Sequence, residues 1–181
     1  MFVAIDRTSK FAFVELHEKA PTAVSRDFLL RLIAAVPYKI HTVLTDNGIT
    51  TPGAGGSAVP LIKEAIANGE IFRAHAFEYA CARNDIEHRT TKARHPWTNG
   101  QVERMNRTIK DATVKRFCYE SHDQLRQHLT DFVAAYNFAR RLKTLKGLTP
   151  YEFICKAWAS QPERFKLDPL QQMPGLLYSA C

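Results

Sequence analysis

Between His88 and Lys110 the chain reads HRTTKARHPWTNGQVERMNRTIK, a basic segment expected to be extended, followed by a strongly amphipathic helix. At 100° per residue, Val102, Met105, Ile109 and Ala112 share one arc, while Glu103, Asn106, Arg107 and Lys110 share the next. One arc can anchor the helix and the other can meet a ligand. Thr98 and Gln101 have capping-box spacing, which predicts a helix start just after Thr98. From His88 to Arg116 there are eight Lys or Arg against only Glu103 and Asp111, so this run supplies +6 of the formal net charge of +7. That excess suits a polyanion. A Glu among cations is ordinarily a solvated salt-bridge partner. Inside so cationic a surface, however, its carboxylate stays ionised and repels phosphate unless a divalent cation lies between them. Glu103 is therefore a candidate metal ligand beside nucleic acid.

A second acidic position lies upstream. Ile40 to Leu44 is predicted to be a short buried strand, and Asp46-Asn47-Gly48 follows where that strand stops. Strand ends of this kind are where α/β sheets present ligands, although Asp-Asn-Gly alone is also an ordinary turn. Its pairing with the Glu103 helix is what gives it weight.

These residues carry a resemblance. Pro96-Trp97-Thr98-Asn99-Gly100-Gln101-Val102-Glu103-Arg104-Met105-Asn106 resembles the P-x-T-N-G-x-x-E-R-x-N signature of insertion-sequence transposases whose catalytic core is shared with retroviral integrases. Val43-Leu44-Thr45-Asp46-Asn47-Gly48 is similar to that family's second motif, and Tyr136-Asn137 with Leu148-Thr149-Pro150-Tyr151-Glu152 to its ending. The likeness spans nearly the whole chain. Two departures stand out. Between Asp46 and Glu103 lie 56 residues, a longer spacing than in the retroviral members, and Thr50 and Thr51 replace the usual aromatic after Asp-Asn-Gly.

The resemblance implies an α/β fold, a ribonuclease-H-like mixed sheet flanked by helices, with a C-terminal helical extension. It implies a catalytic core over residues 1–120 with an insertion at about 50–75, and an extension and tail over 121–181 packed on that core. Phe2-Val3-Ala4-Ile5-Asp6-Arg7-Thr8-Ser9 resembles the family's second strand and turn, so the first strand and its catalytic Asp are expected to be missing from an amino-truncated chain. Asp6 is the less favoured alternative for that Asp, since Asp at a hairpin is normally a turn former. The implied activity is DNA cleavage and joining by metal-dependent phosphoryl transfer, impaired in this chain. The implied catalytic and metal-binding residues are Asp46 and Glu103. Two Mg²⁺ or Mn²⁺ ions are implied for intact relatives, with weak or no binding here. Lys92, Arg94, His95, Asn99, Asn106, Arg107 and Lys110 would contact DNA, whether transposon ends or target. A homo-oligomer is a further implied partner. The alternatives are a non-catalytic DNA-binding remnant and, on fold analogy, an RNA nuclease.

The remaining elements must position these residues. At 181 residues and 45% hydrophobic content, the chain supports one core of ordinary size, a single domain with extensions. No apolar run reaches membrane-spanning length and no signal peptide is visible, so a cytosolic protein is expected. Cys81, Cys118, Cys155 and Cys181 form no C-x-x-C pair, and His17, His41, His75, His122 and His128 lack ligand spacing, so zinc is not expected.

Phe2–Ile5 and Phe11–Leu16 predict a hairpin. Thr22 is the expected cap of a helix with Val24, Phe28, Leu32 and Ala35 inward, ended by Pro37. The Gly- and Pro-rich stretch from Thr50 to Ser57 predicts a mobile loop. Helices are expected over Leu61–Ala67 and Phe72–Arg83, with a strand over Ile86–Arg89. Ser121 should cap a helix with Leu125, Leu129, Phe132, Val133 and Tyr136 inward, and Thr149 a helix running to about Trp158, itself a packing aromatic. Arg140 to Lys146 adds a second basic cluster, and Pro162 to Cys181 reads as an irregular tail.

Overall fold

The computed structural model describes residues 1–18, 22–46, 57–70, 75–91 and 100–172. Strand β1 (Phe2–Ile5) pairs antiparallel with β2 (Ala12–Glu15), in a register that runs from Phe2 opposite Glu15 to Ile5 opposite Ala12. Alternation then sorts the side chains between two faces. Phe2 and Phe13 lie on the face covered by helix α1 (Thr22–Ala35), where Phe28 packs between their rings at 5.4 and 5.3 Å. Val3, Ile5, Ala12 and Val14 lie on the other face, against Met105, Ile109, Leu129 and Tyr136.

Strand β3 (Thr42–Thr45) pairs in parallel with β4 (Glu87–Thr90). Between them come helices α2 (Val59–Asn68) and α3 (Ala76–Arg83), the crossover that parallel pairing requires. Ile62, Phe77, Cys81 and Ile86 form the centre of the core on this side, joined by Leu29 of α1. Among the described residues no ladder joins β1–β2 to β3–β4. Helix α1 is the common element: Phe28 serves one sheet, Leu29 and Ile33 the other, and Leu32 a third cluster with Phe11, Val36, Tyr151 and Ile154.

Helix α4 (Gly100–Ala112) lies on β1, and α5 (His122–Phe138) on β2. Ser121 accepts the Gln124 amide at 3.2 Å, but the Gln124 side chain reaches the amide of Glu120 rather than that of Ser121, so the box closes one residue early. Helix α6 (Pro150–Ser160) opens with the full reciprocal box between Thr149 and Glu152, with Pro150 at the first position.

Several expectations shift. The buried stripe of α1 runs through Phe28, Leu29 and Leu32, and Ala35 is exposed, because the helix must meet two sheets rather than one. Helix α1 starts at Thr22 itself, whose side chain lies outside what the structure describes. Helix α3 begins at Ala76, with His75 as its cap, and residues 72–74 of the expected helix lie outside the described residues. So does the expected loop from Thr50 to residue 56. The segment after Pro162 is not simply irregular as far as residue 172. Two 3-10 turns (Pro162–Arg164 and Pro169–Gln172) flank Phe165, which packs edge-on against Tyr38 at 6.1 Å, while the Lys166 amide donates to Pro37 O at 2.7 Å.

Candidate nucleic-acid and metal site

Helix α4 sorts its residues as its sequence period requires. Met105 and Ile109 are 3% and 1% exposed and hold the helix on the β1–β2 sheet, while Val102 and Ala112 are half-buried beside them. Burying those two side chains contributes on the order of 4 kcal/mol against leaving them in water. The opposite side carries Glu103, Arg104, Arg107 and Lys110, all exposed, with Asn106 half-buried at the boundary. Glu103, Asn106, Arg107 and Lys110 are spaced i, i+3, i+4 and i+7, so they form one row along the helix. Asp111 is neutralised locally by Lys115 at 2.7 Å, which leaves the row strongly basic around Glu103.

Asp46 follows the last residue of β3 and is exposed. The preceding Thr45 is fixed twice, since its carbonyl accepts the Thr91 amide at 2.9 Å and its hydroxyl meets His88 Nε2 at 2.8 Å. Asp6 follows β1, and its Oδ1 accepts the Thr8 amide at 3.0 Å while Oδ2 takes the Ser9 amide at 3.2 Å and the Ser9 hydroxyl. These bonds make it the turn former of the hairpin. The turn reaches α4, for Lys10 Nζ donates to Gln101 Oε1 at 3.4 Å. Behind it sits Tyr38, whose hydroxyl burial, with the Asp6 charge second, pushes far above the ordinary tyrosine range.

Glu103 and Asp46 thus stand on different supports, the first on a helix that rides on β1 and the second at the end of β3. Among the described residues, no three His, Cys, Asp or Glu side chains come together as a group that could hold a metal ion. Two carboxylates have the right hard-oxygen chemistry for one hydrated Mg²⁺ or Mn²⁺. They do not fit a two-metal centre, which needs more carboxylate oxygens than they supply. Lys92, Arg94, His95 and Asn99 lie outside the described residues, as does the capping residue Thr98.

Sequence reasoning missed what holds Thr45, the residue before Asp46. His88, expected within the strand over Ile86–Arg89 but given no role there, is a core residue of β4 at 2% exposure, and Glu78 of α3 is buried with it at 7%. Strand alternation in Glu87-His88-Arg89-Thr90 was the available signal, since it puts His88 and Arg89 on opposite faces. Three other histidines have local roles: His17 pairs with Glu15 at 2.8 Å, His75 caps α3, and His128 meets the Tyr119 hydroxyl at 2.6 Å. Cys81, Cys118 and Cys155 are free thiols, and burial with the nearby Glu78 charge pushes Cys81 up to about 12.

Residues 84–150 match the family model described as integrase core domain. The catalytic core domain of BIV integrase has a similar fold, with a TM-score of 0.60 and 22% identity over 88% of each chain. An uncharacterized protein of Caenorhabditis elegans is 26% identical over 152 residues, which are 84% of this chain but 10% of that protein. The chain thus spans about a tenth of that relative's length. With its helices packed on short parallel and antiparallel strands, the chain has a ribonuclease-H-like α/β fold similar to that of the BIV integrase catalytic core.

Proposed function

We propose that the chain acts in DNA integration or recombination, as a transposase-type core that binds DNA through the outer row of α4. The observation that carries this reading is the sorting of α4 within the region that matches the integrase core model: Met105 and Ile109 inward, Glu103, Arg107 and Lys110 outward. Arg107 and Lys110 would hold phosphates, with Asn106 beside them and Lys92, Arg94, His95 and Asn99 extending the contact. Glu103 and Asp46 would be the carboxylates that meet a divalent cation, which when bound polarises phosphate oxygens. Residues 1–120 would form the catalytic core and 121–181 its extension. The packing of Tyr151 and Ile154 on Phe11 and Val36 supports that arrangement.

A second reading, a DNA-binding chain without catalysis, is favoured by Asp6, whose two carboxylate oxygens are both engaged within the hairpin turn. Both readings require DNA binding. Titration of a duplex across salt concentrations should show a steep linear loss of log affinity, and Lys110→Ala should flatten that slope by about one unit. An unchanged slope would remove Lys110 from the interface, and a flat salt dependence in the unaltered chain would defeat the proposal.

A further inference from the structure

A buried polar chain runs from α3 through β4 to the end of β3. Glu78 Oε1 accepts the Ala58 amide at 3.0 Å and faces His88 Nδ1 at 3.3 Å, and His88 Nε2 meets the Thr45 hydroxyl at 2.8 Å. The His88 side chain has no exposed surface, and the Phe77 ring stands edge-on to its imidazole at 5.2 Å. The residue after Thr45 is Asp46.

We propose that Glu78, His88 and Thr45 are positioning residues that fix the end of β3 and thereby aim Asp46. The tautomer follows from donor and acceptor types. With Glu78 accepting from Nδ1–H, a neutral imidazole leaves Nε2 to accept from the Thr45 hydroxyl. Three apolar side chains of similar size would fill the same space without the desolvation cost of a buried carboxylate and imidazole. What the polar chain adds is direction. It ties Thr45 through its side chain, independently of the Thr91 amide that holds its carbonyl. Thr45 then has one position relative to β4, and Asp46 leaves the sheet at one place. Hydrogen bonds to a metal ligand typically govern affinity by about ten-fold to a hundred-fold, and the Thr45 bond acts one residue from Asp46.

This inference rests on the proposed role of Asp46, so the experiment separates the two. In the full chain, Mn²⁺ is titrated while the paramagnetic broadening of assigned amide resonances near residues 46 and 103 is followed, and hydrogen exchange at the Thr91 amide is recorded in parallel. Thr45→Val, nearly isosteric, should weaken Mn²⁺ binding about ten-fold or more and accelerate Thr91 exchange, while Thr45→Ser should restore both. The ¹⁵N shifts of His88 should report the Nδ1–H tautomer. Wild-type Mn²⁺ affinity in Thr45→Val, alongside weakened binding in Asp46→Asn, would overturn the positioning role and leave the chain a packing device. If Asp46→Asn leaves Mn²⁺ binding unchanged, the metal role of Asp46 fails. The positioning chain is then judged on exchange and tautomer alone: an Nε2–H imidazole, or unaltered Thr91 exchange in Thr45→Val, overturns it.

Discussion

Asn137 does the work of a missing strand neighbour. Its side-chain Oδ1 accepts the Ala12 amide at 2.9 Å and its Nδ2 donates to the Ala12 carbonyl at 2.8 Å, with Asn137 3% exposed. The amide group thereby copies a peptide unit and closes the outer edge of β2 at the point where α5 covers it. Asn137→Ala would leave a buried N–H and a buried carbonyl without partners, at about 1–3 kcal/mol for each group. Asn137→Asp would fail too, because a carboxylate cannot donate to the carbonyl. Urea unfolding followed by circular dichroism should show the midpoint falling in both variants with an unchanged slope. The Tyr136-Asn137 pair was visible in the sequence as part of a motif, yet its role was not. A side-chain amide closing a strand edge leaves no trace in hydrophobic periodicity. The same holds for Glu78, whose partners lie 10 and 20 residues away.

At the scale of elements, periodicity was a good guide wherever one face of a helix meets one surface. That describes α4 and α5, and the capping signals at Ser121 and Thr149 placed the starts of α5 and α6 correctly. It misled for α1, whose stripe turns because three clusters share it, and for the segment after Pro162, whose contacts with Pro37 and Tyr38 depend on tertiary proximity alone. Helix α1 is also pinned by charge. Arg31 Nε and one terminal nitrogen donate to the two oxygens of Glu15 on β2 at 2.6 and 2.7 Å. Partial burial acts to raise the Glu15 carboxyl, but the bonds from Arg31 and His17 outweigh it and hold it below the ordinary 4.5. A carboxyl depressed in the folded state stabilises fully above its unfolded value and loses that contribution as the pH falls through the folded value. Stability should therefore drop below about pH 4.5. Glu15→Gln should remove part of that acid-side drop and cost about 0.2–1 kcal/mol at neutral pH, since Arg31 is half exposed and the pair is screened. Thermal melts of both proteins from pH 3 to pH 7 check this.

For the whole molecule, the decisive quantity is how many carboxylates the fold brings to one place. In-line displacement at phosphorus by the two-metal route needs both ions held about 3.5–4 Å apart, and errors of about 1 Å in reacting geometry can cost ~10²-fold in rate. Asp46 and Glu103 offer four oxygens between them, too few to bridge and anchor two ions that each take about six ligands. Asp6 is poorly placed to help. Both of its oxygens are engaged by Thr8 and Ser9 within the hairpin turn, and freeing them would dismantle the turn that meets Gln101. Among the described residues β1 pairs only with β2 and β3 only with β4. Incubation of the 181-residue chain with supercoiled plasmid in Mg²⁺ or Mn²⁺ should produce no nicked circles above the level of a Glu103→Gln control. Nicking by the unmodified chain that disappears in Asp6→Asn would reverse the assignment and make Asp6 the third carboxylate.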